Sequence, residues 1–298
     1  MSAGSGAARR PVVDSDILSL SAGPTSFELT SPDPRVLDRA RVVLRPWLNG
    51  ASSPDPPRAR FLVEEDASET PGRWRVARDG QGTAIADSID LALAAVEYRA
   101  TAELLDPETG VVALHAALLS RGDRGVLLVG PKEAGKSTLG CALWRAGWRL
   151  HSDDSARIED GHHARGIPRR VSLRAPSRDL LGAELWERIA SLPATTRTST
   201  GLLFHPGELS PTETSAAVDV ATVMFLARRG STAGPAQAVR LDAGRALLAM
   251  APYCYRRDAR VGAAIQMLQP LANHAPAYDL GRGDLTTMVE RVAEVITS

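Results

Sequence analysis

Between Val36 and Trp47 the apolar positions Val36, Leu37, Ala40, Val43 and Leu44 recur at threes and fours, which predicts a short helix ending near Pro46. Ahead of it, residues 1–35 are rich in Pro, Ser and Gly and read as a loosely held arm, with ILSLSA and FELT as edge strands. ASSPDPPR, residues 51–58, is a break in the pattern. FLVEEDA, RWRVARDG and GTAIADS then read as short strands around Gly and Asp turns, and SIDLALAAVEYRATAELL as an amphipathic helix opened by Ser88 or Asp87. This pattern predicts a small N-terminal α+β domain over residues 1–105.

The texture changes at VVALHAALLSRGDRGVLLVG, where two apolar strands are joined by a tight RGDRG turn, and a second domain, 106–298, is placed from there. A helix is expected from about Lys136 to Ala146, with Gly147 as its left-handed C-terminal stop. WRLH reads as a strand carrying SDD at its carboxyl end, SARIEDGHHARGI as a hairpin, and RRVSLRAPS as a strand and turn. DLLGAELWERIASL reads as a helix, VATVMFLARRG as a strand, and DAGRALLAMAPYCY as the start of a helical C-terminal region. No repeat interrupts this order of elements.

Between the strand VLLV and the helix LGCALWRAG lies GPKEAGKST, comprising Gly130, Pro131, Lys132, Glu133, Ala134, Gly135, Lys136, Ser137 and Thr138. It satisfies G-x-x-x-x-G-K-[ST], a loop whose successive amides and following helix dipole bind phosphate, whose lysine reaches the β and γ phosphates, and whose hydroxyl holds Mg²⁺. Composition sharpens this reading. Of 35 basic residues only Lys132 and Lys136 are lysines, so both fall in one loop of a chain that otherwise uses arginine. A compact ammonium reaches between phosphate oxygens where a guanidinium fork is bulkier. The bland alternative is a Gly-rich turn with a surface lysine.

At 298 residues, 44% hydrophobic and 23% charged, with a formal net charge of zero, the chain has ordinary globular composition, and nothing marks it for a polyanionic partner such as nucleic acid. No segment approaches the roughly 18 apolar residues of a membrane span, and MSAGSGAARR lacks the apolar core of a signal peptide, so the expected location is the cytoplasm. Cys141 and Cys254 read as free thiols.

A second constellation is His151-Ser152-Asp153-Asp154. The helix and glycine turn should return WRLH to a position beside VLLV, bringing both aspartates to the rim that carries the loop. Near a triphosphate one carboxylate can hold Mg²⁺ and the other accept a proton from an attacking hydroxyl; alone, such a pair is a solvated turn. His115, fifteen residues before Gly130, should return to the same region, where an imidazole relays or tunes a proton, although a lone histidine on an apolar strand is ordinarily a core residue. Arginines cluster at Arg165, Arg169, Arg170 and Arg174, with Arg197 beyond; Arg169 is nominated as a phosphate or substrate ligand, the rest as solvated charge. His162-His163 sits on a hairpin turn with no third or fourth ligand at readable spacing, which argues against zinc there.

LHAALL, GPKEAGKST and RAGWRLHSDD together resemble the HPr kinase/phosphorylase family, closely over residues 111–160 and loosely to about residue 255. The resemblance implies an α/β core of the HPr kinase and ATP-dependent phosphoenolpyruvate carboxykinase type, with a mixed sheet, using ATP and Mg²⁺ to phosphorylate a serine hydroxyl on a peptide or small protein. It assigns Lys136 to the phosphates, Ser137 to the metal, Asp153 as general base with His115 as its partner, and Asp154 as a second acid at the metal. It also suggests a homo-oligomer. Thr138 departs from the family, which places a glutamate there, and the N-terminal unit does not match the regulator's usual sensor domain. Two other readings stay open: a kinase of a small hydroxylated metabolite, and a nucleotide-binding regulatory module without catalysis.

Overall fold

The computed structural model describes residues 17–22, 25–48, 55–66, 71–105, 112–208, 217–227, 236–255 and 261–297. Of the loosely held arm expected over residues 1–35, residues 1–16 lie outside them, as does the first half of the 51–58 break; the arm's described residues, from 17 onward, are instead two strands and the start of a helix. The chain divides into two compact units, residues 1–96 and 97–298.

In the first unit, β1 (Ile17–Ala22), β2 (Thr25–Thr30), β3 (Ala59–Glu65), β4 (Trp74–Arg78) and β5 (Gln81–Ala86) form a five-stranded sheet in sequential order. Helices α1 (Pro34–Val43) and α2 (Arg45–Leu48) connect β2 to β3. Asp33 caps α1 by accepting from the Arg35 amide, and Pro34 enters where a helix needs no N–H. FELT is not an edge strand: β2 pairs antiparallel with β1 and parallel with β3, which buries Phe27 and Leu29 completely. α3 (Ile89–Leu104) is capped by Ser88, whose hydroxyl accepts from the Leu91 amide, and the division between units falls within this helix; the expected boundary, residue 105, lies at its end.

The second unit is a mixed α/β structure. Its nine-stranded sheet runs β6 (Val112–Leu114), β10 (Ala156–Glu159), β11 (His163–Gly166), β15 (Val218–Leu226), β8 (Arg124–Val129), β7 (Ala116–Arg121), β9 (Arg149–Ser152), with β17 (Ala277–Leu280) on the far half of β15 and β16 (Ala238–Leu241) beyond it. A small sheet joins β12 (Val171–Arg174), β14 (Gly201–Phe204) and β13 (Thr196–Thr198). The run VLLV is apolar throughout because β8 is covered on both faces. Val126 and Leu128 pack with α4 (Lys136–Arg145) and α9 (Leu285–Thr297), whereas Leu127 and Val129 pack with α7 (Ala243–Met250) and α8 (Val261–His274).

Two expectations need correction. DLLGAELWERIASL is two helices, α5 (Ser177–Leu181) and α6 (Ala183–Ala190), because Gly182 sits at φ 90° and breaks the ladder. β9 is also not the direct neighbour of β8: the β7–β8 hairpin keeps its own pairing, and β9 adds antiparallel to the outer side of β7. Two antiparallel steps leave β9 parallel to β8, so the carboxyl ends of both strands still open on one rim.

Candidate active site

The Gly130–Thr138 loop leaves the end of β8 where the end of β15 comes close. A Cβ on Gly130 would stand 2.9 Å from the Leu226 carbonyl oxygen, so only glycine fits. Gly135, at φ 98°, turns the chain into α4 and offers no side chain to the helix's first amides, which leaves their N–H groups to the loop interior. Glu133 also adopts a left-handed φ, 70°, and its carboxylate pairs with Arg174 on β12.

Lys136 lies on the first turn of α4 and is buried. Its ammonium donates to the Gly130 carbonyl at 2.7 Å and the Pro131 carbonyl at 3.2 Å, and lies 3.0 Å from His115 Nε2. Burial lowers its pKa against the charges of Asp154 and Asp153. An ammonium only donates, so His115 Nε2 accepts and the ring proton sits on Nδ1. That nitrogen faces Asp154 Oδ1 at 3.0 Å and the Tyr255 hydroxyl at 2.9 Å. His115 occupies the break between β6 and β7, where its own amide donates to the Tyr253 carbonyl.

The two aspartates after β9 diverge. Asp153 is buried, and its Oδ2 accepts from Ser137 Oγ at 2.8 Å and the Ser172 amide at 3.1 Å. Burial, reinforced by the charge of Asp154, pushes its pKa up to about 6. Asp154 keeps 30% of its side chain exposed and gathers His115, Arg169 Nη1 at 3.0 Å and Tyr255. Burial alone would raise its pKa, but the hydrogen bond and charge of His115 and the charges of Arg169 and Lys136 outweigh this and hold the carboxyl below its ordinary value. His115 is thus the partner of Asp154, not of Asp153, because Asp153 turns inward to Ser137 while Asp154 turns toward the rim.

Of the residues nominated from sequence, His115, Lys136, Ser137, Asp153, Asp154 and Arg169 converge. Thr138 bonds instead to Ser177 Oγ at 2.8 Å, and Lys132 makes no described contact with the cluster. Arg170, one residue from Arg169, is fully buried against Glu97. His151 bonds to Ser120 at 2.9 Å, away from the aspartates that follow it. Tyr255 and Ser155 were not nominated: the tyrosine hydroxyl touches His115, Ser155 Oγ at 3.2 Å and the Asp154 carbonyl at 3.2 Å. Nothing in its sequence surroundings, PYCYRR, singles Tyr255 out from Tyr253.

The donor set suits a hard divalent cation. Ser137 Oγ and the Asp153 carboxylate are adjacent oxygens, with the second carboxylate next in the chain, and Mg²⁺ takes such ligands while keeping several waters. Among the described helices none is long and apolar enough to cross a membrane. No family model matches the chain, and no curated protein matches it. Among solved structures it is similar to an HPr(Ser) kinase/phosphatase from Coxiella burnetii at 14% identity and a TM-score of 0.35, over 61% of this chain and 95% of that one, a likeness too slight to carry a functional argument.

Proposed function

We propose that this protein is an ATP- and Mg²⁺-dependent phosphotransferase that phosphorylates an alcohol, the serine hydroxyl of a peptide or small protein. The observation that carries the reading is the convergence of Lys136, Ser137 and both aspartates at one end of β8 and β9, around a loop in which Gly130 leaves no room for a side chain and Gly135 takes a left-handed φ. The choice of serine rests on the sequence resemblance.

In this reading the loop amides and Lys136 hold the β and γ phosphates, and Lys136 exchanges its two loop carbonyls for phosphate oxygens. Ser137 and Asp153 would hold Mg²⁺, which supplies charge neutralisation on the phosphoryl oxygens. The acceptor oxygen forms a bond to the γ phosphorus as the bond to the bridging oxygen breaks and ADP leaves. Asp154 takes the hydroxyl proton, since it alone of the pair faces the rim, and the His115 Nδ1–H and Arg169 fix its orientation. This exchanges the roles that the resemblance gives to the two aspartates.

The test is incubation with γ-labelled ATP, Mg²⁺ and a panel of serine peptides, with release to water followed in parallel. Asp154→Asn should lower transfer by roughly 10²–10⁴-fold, the usual worth of a positioned base. Equal turnover in this variant, or no turnover by the wild type on any acceptor, would sink the proposal.

A further inference from the structure

The pair His162-His163, set aside from sequence for want of further ligands, acquires them in the fold. The β10–β11 hairpin turns through Asp160 at φ 46° and Gly161 at φ 80°, conformations that deliver His162 and His163 on the return. A Cβ on Gly161 would stand 2.9 Å from Pro270 Cβ, so the turn is seated against α8. β11 pairs with the start of β15 so that His163 faces Asp219, and the Val220 amide donates to the His162 carbonyl at 3.0 Å. Ligand atoms of His162, His163 and Asp219 all lie within 4.8 Å of one another.

α8 contributes its last residue. His274 Nε2 is 2.9 Å from Asp219 Oδ1, and its ring stacks on His162 at 4.2 Å between centroids. Three of the chain's six histidines therefore gather around one carboxylate. An independent sign of a missing partner is His163 Nδ1, which is buried and has no hydrogen-bond partner among the described residues. A buried imidazole nitrogen left unpaired is a cost that a metal–nitrogen bond would remove.

We infer that His162, His163 and Asp219 form a binding site for a borderline divalent transition ion such as Zn²⁺, with His274 positioning the Asp219 carboxylate. Imidazole nitrogens select such an ion over Mg²⁺, which the oxygen-rich cluster around Asp153 suits better. The site lies at the amino end of β15. Seven residues of extended strand, about 23 Å, separate Asp219 from Leu226 beside the Gly130 loop. A bound ion would clip together the hairpin turn, β15 and the end of α8.

The experiment is titration of the full chain, carrying no histidine tag and stripped with chelator, with Zn²⁺ by calorimetry, and with Co²⁺ by visible absorption. One equivalent of Zn²⁺ should bind at micromolar concentration or tighter, and Co²⁺ should give ligand-field bands. His162→Gln and Asp219→Asn should each weaken Zn²⁺ at least 100-fold, and His274→Gln by 10–100-fold, the usual worth of an outer partner. These side chains are at least partly exposed, so the variants should keep the metal-free melting temperature while losing the rise that Zn²⁺ gives the wild type. His115→Gln should leave Zn²⁺ affinity unchanged. Absence of binding at 100 µM Zn²⁺ (roughly the weak end of a specific site), or binding lost in His115→Gln and kept in His162→Gln, would overturn the inference.

Discussion

Arg170 and Arg169 each meet a carboxylate at nearly the same distance, 2.9 Å to Glu97 and 3.0 Å to Asp154, in surroundings that differ in every other respect. Arg170 is fully buried: its amide and Nε both donate to Glu97, Nη1 donates to Thr196 Oγ1 at 2.7 Å, and only Nη2 lacks a partner among the described residues. Arg169 is 22% exposed, lies over the Tyr98 ring at 5.8 Å, and shares its carboxylate with a histidine and a tyrosine. The first pair is held by two bonds between its members and one to Thr196, and is closed to solvent. The second holds one charged group at a rim where several donors and acceptors compete for it. A buried ion pair ties the fold down, whereas an open cluster of unequal partners can give up one contact for a ligand's.

The contrast can be broken from either side. The largest stability effect should come from the closed pair: Glu97→Gln leaves Arg170 buried and uncompensated, at a cost of about 3–5 kcal/mol in denaturant unfolding, with turnover per folded molecule unchanged. Little loss of stability there would mean that the pair is not sealed. Arg169→Gln should do the reverse, lowering phosphoryl transfer by roughly 10–100-fold while leaving the unfolding midpoint nearly in place, because one charge-assisted bond to a carboxylate that keeps His115 and Tyr255 as partners is lost. A variant that unfolds as readily as Glu97→Gln would erase the distinction.

The smallest effect is a pH dependence. Asp153 titrates near 6 in the fold against an ordinary value of 3.8, so the folded protein holds a proton there that the unfolded chain releases. Its contribution is a loss of stability as pH rises from about 4 to 6, complete above that window. Asp154, held below its ordinary value, pulls the other way at lower pH. Asp153→Asn should flatten the fall between pH 4 and 6, measured as the denaturant midpoint against pH, and an unchanged slope would place the burial penalty elsewhere.

What the sequence disclosed was local. The β8–loop–α4 unit could be read because VLLV, the two loop glycines and Gly147 each have a short-range cause, and the loop spacing brought Lys136 and Ser137 to one turn. Pairings across distance were not legible. Tyr255 reaches Asp154 from 101 residues away because the Leu114–Cys254 bridge lays that segment beside His115. The insertion of β7 between β8 and β9 depends on which hairpin holds, which no pattern of apolar residues specifies. The division of roles between Asp153 and Asp154 could not be read either, since side chains of adjacent residues diverge and only the partners, Ser137 or His115, show which faces inward. Strands as short as β13, with three residues, carry too little periodicity to register. Asp219 and His274 are likewise invisible as companions of His162-His163 until β15 and α8 are in place.

Whether the Gly130–Thr138 loop and the acids beside it form one nucleotide site is decided by calorimetric titration with a non-hydrolysable ATP analogue in the presence of Mg²⁺. The wild type should bind, Lys136→Ala should bind roughly 10–100-fold or more weakly through loss of a charge-assisted phosphate contact, and Asp154→Asn should keep near-normal affinity. No binding by the wild type, or equal binding by Lys136→Ala, would contradict such a site.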